Sequence, residues 1–170
     1  MQQDVISVEA AIAITGRSRS TWWRRMAKGE ATRVADDARG RAMLLWADVL
    51  PQVAAPLAAE DAALVLLADA GNPEAQNDLG AVFLSAGQPK AALYWWQQAA
   101  QQAHPDAMQW LGHCYLHGQG VPADEHLGLM WLAKAAAHGH VVAQGLVNGL
   151  LRVQLSAVKN DRAVQHLAER

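Results

Sequence analysis

The stretch "HPDAMQWLGHCYLHGQGVPADEHLGLMWLAKAA", His104–Ala136, decides the fold because the chain repeats it. "NPEAQNDLGAVFLSAGQPKAALYWWQQAA", Asn72–Ala100, aligns with it closely, and "HVVAQGLVNGLLRVQLSAVKNDRAVQHLAER", His140–Arg170, aligns more weakly. Ala75, Ala107 and Ala143 mark matching positions, 32 and then 36 residues apart. Leu79-Gly80 matches Leu111-Gly112, Phe83 matches Tyr115, Trp95 matches Trp131, and Ala99-Ala100 matches Ala135-Ala136. A period of this length is that of stacked helix-turn-helix units, none of which buries its apolar face alone.

Each matched position has a physical task. Ala75, Leu79 and Phe83 fall at i, i+4 and i+8, one face of a helix. Gly80 and Gly112 lie beside that face, where a missing side chain lets a second helix approach. Gly87 and Gly118 are placed to end the first helices, because glycine turns the chain through φ > 0 without steric cost. "QGVPAD" gives the middle unit a longer turn, with Asp124 as an N-cap candidate for the helix that follows. Trp95 and Trp131 are expected to plug the space between paired helices.

The pattern A-x3-LG-x2-(Y/F)-x2-G-x-GV-x2-D-x6-W-x3-AA resembles the SEL-one-like repeat family, a relative of the tetratricopeptide repeats. The resemblance covers about residues 60–170. It is closest over Ala107–Gly139; the unit before lacks the four-residue "GV" insertion, and the unit after has Asn148 in place of the glycine. It implies a mainly α chain forming an α-α superhelical solenoid over residues 53–170. The half-repeat falls at 57–71 and the repeats at about 72–104, 105–140 and 141–170. It also implies a non-enzymatic adaptor that binds a protein partner on a concave face of first-helix residues outside the core. The protein-binding candidates are Asn77, Asp78, Gln109, Trp110 and His113. Trp110 is the sharpest, since the same slot holds Asp78 one unit earlier, and tryptophan is the residue type that interface hot spots favour. The competing reading packs Trp110 against Leu146 or a neighbouring helix.

"GHCYLHG" sets His113 and His117 four apart, with Cys114 between them. Two histidines at that spacing reach one face of a helix, but no third ligand is placed by sequence, so no metal is expected. Cys114 has no surrounding base that would make it a nucleophile. No phosphate loop, serine elbow or paired carboxylates stand at catalytic spacing. The expectation is no enzyme, no catalytic residues, no cofactor and no small-molecule substrate.

The first fifty residues differ in character. They carry eight Lys/Arg against six Asp/Glu, whereas residues 51–170 carry six against ten. Ser7 caps a helix that Gly16 breaks, and Ser18 caps a second helix that Gly29 stops. Ala31–Val34 and Arg41–Leu45 flank the turn residues "DDARG" as a β-hairpin, and "WADVLP" starts a further helix packing Trp46 and Val49. The stretch "GRSRSTWWRRMAKGE", Gly16–Glu30, with the hairpin after it, resembles the excisionase-like and MerR-like winged helix-turn-helix modules. Ile12 and Arg17 depart from that pattern. The resemblance gives residues 1–52 as one small domain. Its DNA-binding candidates are Arg17, Arg19, Ser20, Trp23, Arg24 and Arg25 on or beside the second helix, and Arg39 and Arg41 at the wing. DNA binding by a transcriptional regulator is the alternative function. The other reading of the domain is a protein-contact module or a cap on the first end of the solenoid. Trp22 and Met26 read as its buried face, with Trp23 about 100° away around the helix. The linker "LPQVAAPLAAEDAAL" has two prolines and no glycine or serine tract, so the two parts are expected to dock.

The net charge of −2 gives no global drive toward nucleic acid or membrane. A single cysteine excludes an intrachain disulfide. No apolar run reaches the roughly 20 residues of a membrane span, and the N-terminus lacks the basic region of a signal peptide. The expected address is the cytoplasm.

Overall fold

A computed structural model describes residues 4–53, 55, 57 and 59–168, with side chains described for all of these but residues 59, 60 and 157–168. Pro56 of the linker, Ala58 of the half-repeat and the chain ends at 1–3 and 169–170 lie outside the described residues.

The chain opens with a short strand that the sequence did not announce, β1 (Val5–Ser7), followed by helices α1 (Val8–Thr15) and α2 (Arg19–Ala27). Strands β2 (Arg33–Val34) and β3 (Met43–Leu45) and helix α3 (Trp46–Val49) follow. The expected hairpin forms with shorter strands, because Asp37 draws residues 37–41 into a turn by accepting from the backbone N–H groups of Arg39 and Arg41. β3 is central, in the order β1-β3-β2, pairing Ile6 and Arg33 with Leu44 antiparallel. Ser7 caps α1 by accepting from Ala10 N–H, Ser18 caps α2 by accepting from Thr21 N–H, and Gly16 ends α1 at φ 65°. Ile6, Val8, Ile14, Trp22, Leu44, Trp46 and Val49 form the core beneath these elements.

Helices α4 (Ala59–Ala70), α5 (Pro73–Ser85), α6 (Pro89–Gln101), α7 (Pro105–His117), α8 (Glu125–Ala137) and α9 (Val141–Ala168) make up the rest. α5 pairs with α6 and α7 with α8, and each pair stacks on the next. One cap recurs at every unit boundary, and a glutamine contact accompanies it at the first and the last. Asn72, His104 and His140 cap α5, α7 and α9 by accepting from the backbone N–H groups of Ala75, Ala107 and Ala143. Gln76 donates to the Ala68 carbonyl at 2.9 Å, and Gln144 donates to the Ala136 carbonyl at 3.0 Å. These two glutamines stand 68 residues apart, two whole units.

The second helix approaches closely at Gly80 and Gly112 as expected, and two other expectations are corrected. The close approach at Gly80 is made by Trp96, whose indole fills the space a Cβ would take, and the equivalent approach at Gly112 is made by Leu132. Trp95 is buried elsewhere on α6, edge-on to Tyr94, and Trp131 is half-buried beneath the Lys134 ammonium. The second correction concerns residues 141–170, expected as a third repeat of two helices. Residues 141–168 form one unbroken helix. The two earlier units turn at Gly87 (φ 70°) and Gly118 (φ 67°), and the matching positions here hold Leu155 and Gln154. With no residue there that enters φ > 0 cheaply, the helix runs on. Asn148 and Arg152 stand where Gly80 and Leu84, or Gly112 and Leu116, meet a second helix, so polar groups occupy that face.

The small sheet module docks on the array. Asp69, at the end of α4, is 6% exposed and accepts from Ser7 N–H (2.7 Å), Ser7 Oγ (2.6 Å) and Arg41 Nη1 (2.7 Å). α1 also packs against α6.

Candidate functional site

The five protein-binding candidates fall on two first helices, Asn77 and Asp78 on α5 and Gln109, Trp110 and His113 on α7. Trp96, a residue the sequence reading passed over, joins them. Its Nε1–H donates to the Asn77 carbonyl at 3.1 Å. Its ring stacks on Trp110, with centroids 5.1 Å apart and planes 5° from parallel. Trp110 therefore sits half-buried with one face held by an aromatic partner. The neighbouring-helix reading of Trp110 accounts for that face, and the helix concerned is α6. The signal for Trp96 lay in the repeat itself, because it aligns with Leu132, the residue following the matched tryptophan.

The ring row continues along α7. His113 lies edge-on to Trp110 at 5.9 Å, and His117 follows at 4.3 Å. Burial, with the neighbouring His117 adding to it, pushes the His113 pKa below the usual histidine value, so its imidazole is held neutral near pH 7. Asp78 is exposed, while Asn77, Gln109 and His113 are half-buried. Among the described residues no group of three His, Cys, Asp or Glu side chains is arranged to hold a metal ion. Cys114 is fully buried, and burial pushes its thiol up to about 11, which keeps it protonated and unreactive at neutral pH.

The basic stretch presents a different surface. Arg17, Arg19, Ser20, Trp23 and Arg24 are exposed, and α1 is the element that packs against both α2 and α6. Trp22 is buried, as its place on the helix predicts, and Trp23 is 41% exposed with the Arg33 guanidinium over its ring. Arg19 pairs with Glu9 at 2.9 Å, and Arg25, half-buried, pairs with Glu30 at 3.3 Å. The wing candidates go elsewhere. Arg41 bridges Asp37 and Asp69, and Arg39 donates to the Ala70 carbonyl at 3.1 Å and lies against Gly71. Arg41 is half-buried against α4, where the buried Asp69 carboxylate needs a donor, while Arg39 stays exposed with its guanidinium tied to a helix-end carbonyl.

Residues 73–104 and 105–140, the two helix pairs α5–α6 and α7–α8, each match the family model of the Sel1 repeat. These two units are Sel1 repeats. A crystal structure of a Sel1 repeat protein from Oxalobacter formigenes is 37% identical over 54% of this chain and 29% of its own, with a TM-score of 0.49. A protective antigen of uropathogenic Escherichia coli displaying an SLR fold is 28% identical over 48% of this chain and 19% of its own, with a TM-score of 0.45. The match thus takes in less than a third of either solved structure. Sel1 repeats generally mediate protein–protein interaction and are typically non-catalytic scaffolds. No helix among the described residues is long and apolar enough to cross a membrane.

Proposed function

We propose that this chain is a non-enzymatic adaptor that holds a protein partner on the first-helix row of its Sel1 repeats, centred on Trp110. The observation that carries the reading is the Asn77–Trp96–Trp110–His113 assembly. A tryptophan stacked on a second ring that is itself hydrogen-bonded to backbone is pre-positioned, so a partner loses little side-chain entropy in meeting it. Exposed Asp78 and half-buried Gln109 and Asn77 supply polar contacts beside it. The test is capture of partners from the native source by the wild-type chain and by Asp78→Arg and Gln109→Arg variants, whose positions lie outside the buried core. Loss of a specific partner with an unchanged melting curve supports the adaptor; retention of every partner by both variants refutes it.

A second reading has its own support. The open Arg17, Arg19, Ser20, Trp23 and Arg24 surface suits a winged helix-turn-helix contacting DNA phosphates through α2. Arg41 is committed to Asp37 and Asp69, so the wing would contribute through the exposed Arg39, and α2 with Arg17 before it supplies the rest of the contact. This reading predicts binding that weakens steeply with salt, because phosphate contacts release counterions. Double reversal of Arg19 and Arg24 to glutamate abolishes a low-salt mobility shift if it is correct. Absence of any shift with genomic fragments at low salt eliminates it.

A further inference from the structure

The first half of α9 carries an uncovered apolar stripe. Val142, Gly145, Leu146, Gly149, Leu150 and Val153 follow at i, i+3, i+4, i+7, i+8 and i+11, one face of a helix. All six are exposed; Leu146 is open by 48% and Val153 by 70%. A Cβ added at Gly145 or Gly149 would meet nothing within 4 Å, so each glycine is an open hollow beside a leucine.

We propose that this stripe is an isologous contact that pairs two copies of the chain through antiparallel α9 helices. The stripe is complementary to its own reverse. With two copies related by a two-fold axis between residues 147 and 148, Leu146 faces Gly149 of the second copy, Leu150 faces its Gly145, and Val142 faces its Val153. Every leucine meets a hollow and valine meets valine. A parallel pair would set leucine on leucine and glycine on glycine, alternating crowding with voids. Charge agrees: Arg152 is the one charged residue within Val142–Val153, and the two-fold sets it opposite Ala143 rather than opposite the other copy's Arg152, so like charges are not opposed. Asn148 and Arg152 mark the side of α9 that the repeat pattern would cover with a second helix, and Leu150 at the edge of the stripe also lines a groove against Leu129 and Ala133 of α8. Glycines at the contact also bring two helix axes closer than the usual 8–10 Å separation of packed helices. Two-fold pairs of this kind, in which residue i meets j and j meets i, are the commonest closed assembly. The stripe is short against the roughly 800 Å² per partner of a standard interface, which makes the dimer concentration-dependent rather than permanent.

Sedimentation of the full chain from micromolar to millimolar concentration tests the proposal. The wild type should pass from monomer to dimer. Leu146→Glu and Gly149→Arg should each stay monomeric with circular dichroism unchanged, since both side chains enter open space; Val153→Arg is a further variant should one misfold. An equimolar mixture of Leu146→Glu and Gly149→Arg should dimerise again, because the glutamate of one copy then faces the arginine of the other. A wild type monomeric at millimolar concentration overturns the proposal, as does a variant that still dimerises. A mixture that stays monomeric overturns the antiparallel register. A monomeric wild type whose melting temperature falls with Leu146→Glu would show the stripe covered within its own chain, which also overturns it.

Discussion

At the residue scale, the unit boundaries separate what the repeat requires from what the sequence supplies. Gly71, Ala103 and Gly139 occupy the same place, just before the capping residues Asn72, His104 and His140, and all three adopt positive φ. Ala103 does so at φ 64° with a Cβ, a conformation that costs about 1–2 kcal/mol for a residue other than glycine. Glycine there would remove that strain while losing some backbone entropy on folding. Ala103→Gly is therefore expected to stabilise the chain by about 0.5–1 kcal/mol, a rise of a few degrees in melting temperature by calorimetry. A fall in melting temperature would show that the α6–α7 turn tolerates a side chain at no cost. The same boundary shows why histidine can replace asparagine as a cap: His104 accepts the helix N–H at Nδ1 and uses Nε2 against Glu74 at 2.6 Å.

At the element scale, glycines within the helices have opposite meanings, and the difference comes from what stands opposite. Gly80 faces the Trp96 indole, whereas Gly149 faces open space. Gly80→Ala is expected to destabilise by about 1–3 kcal/mol through overpacking, read as a lower denaturation midpoint, and the displaced Trp96 ring should change the near-ultraviolet circular dichroism. An unchanged midpoint would mean that α6 is free to shift away from α5. The two helix pairs were legible in the sequence because Ala75, Leu79, Gly80 and their counterparts recur at a fixed period. The identity of the residue entering the glycine gap was not, since two adjacent tryptophans, Trp95 and Trp96, satisfy the same spacing to within one position. The merged helix α9 was legible only in what is missing, a turn glycine near residue 154. Strand β1 escaped because three residues carry no periodicity, and its partner β3 lies about 40 residues away.

At the scale of the whole molecule, one buried carboxylate joins the two parts of the chain. Asp69 holds Ser7 of β1 and Arg41 of the hairpin at once. No motif in the sequence announced it, because its partners are 62 and 28 residues away. Asp69→Ala leaves the Ser7 N–H without its acceptor and Arg41 with Asp37 alone. The expected cost is about 2–4 kcal/mol, less than for a fully buried pair because Arg41 keeps one partner and some solvent. Hydrogen exchange is the discriminating measurement: amides of β1 and α1 should exchange faster while those of α5–α8 keep their protection. Uniform loss of protection would instead show that module and repeats unfold as one unit.

This junction also gives the array a polarity. Helical repeats left bare at both ends can add copies head to tail without limit. Here the leading end is occupied by the sheet module, anchored by Asp69 to α4. A copy adding behind another would meet the sheet module in place of a bare helix pair, whereas the two-fold contact proposed for α9 stops at two.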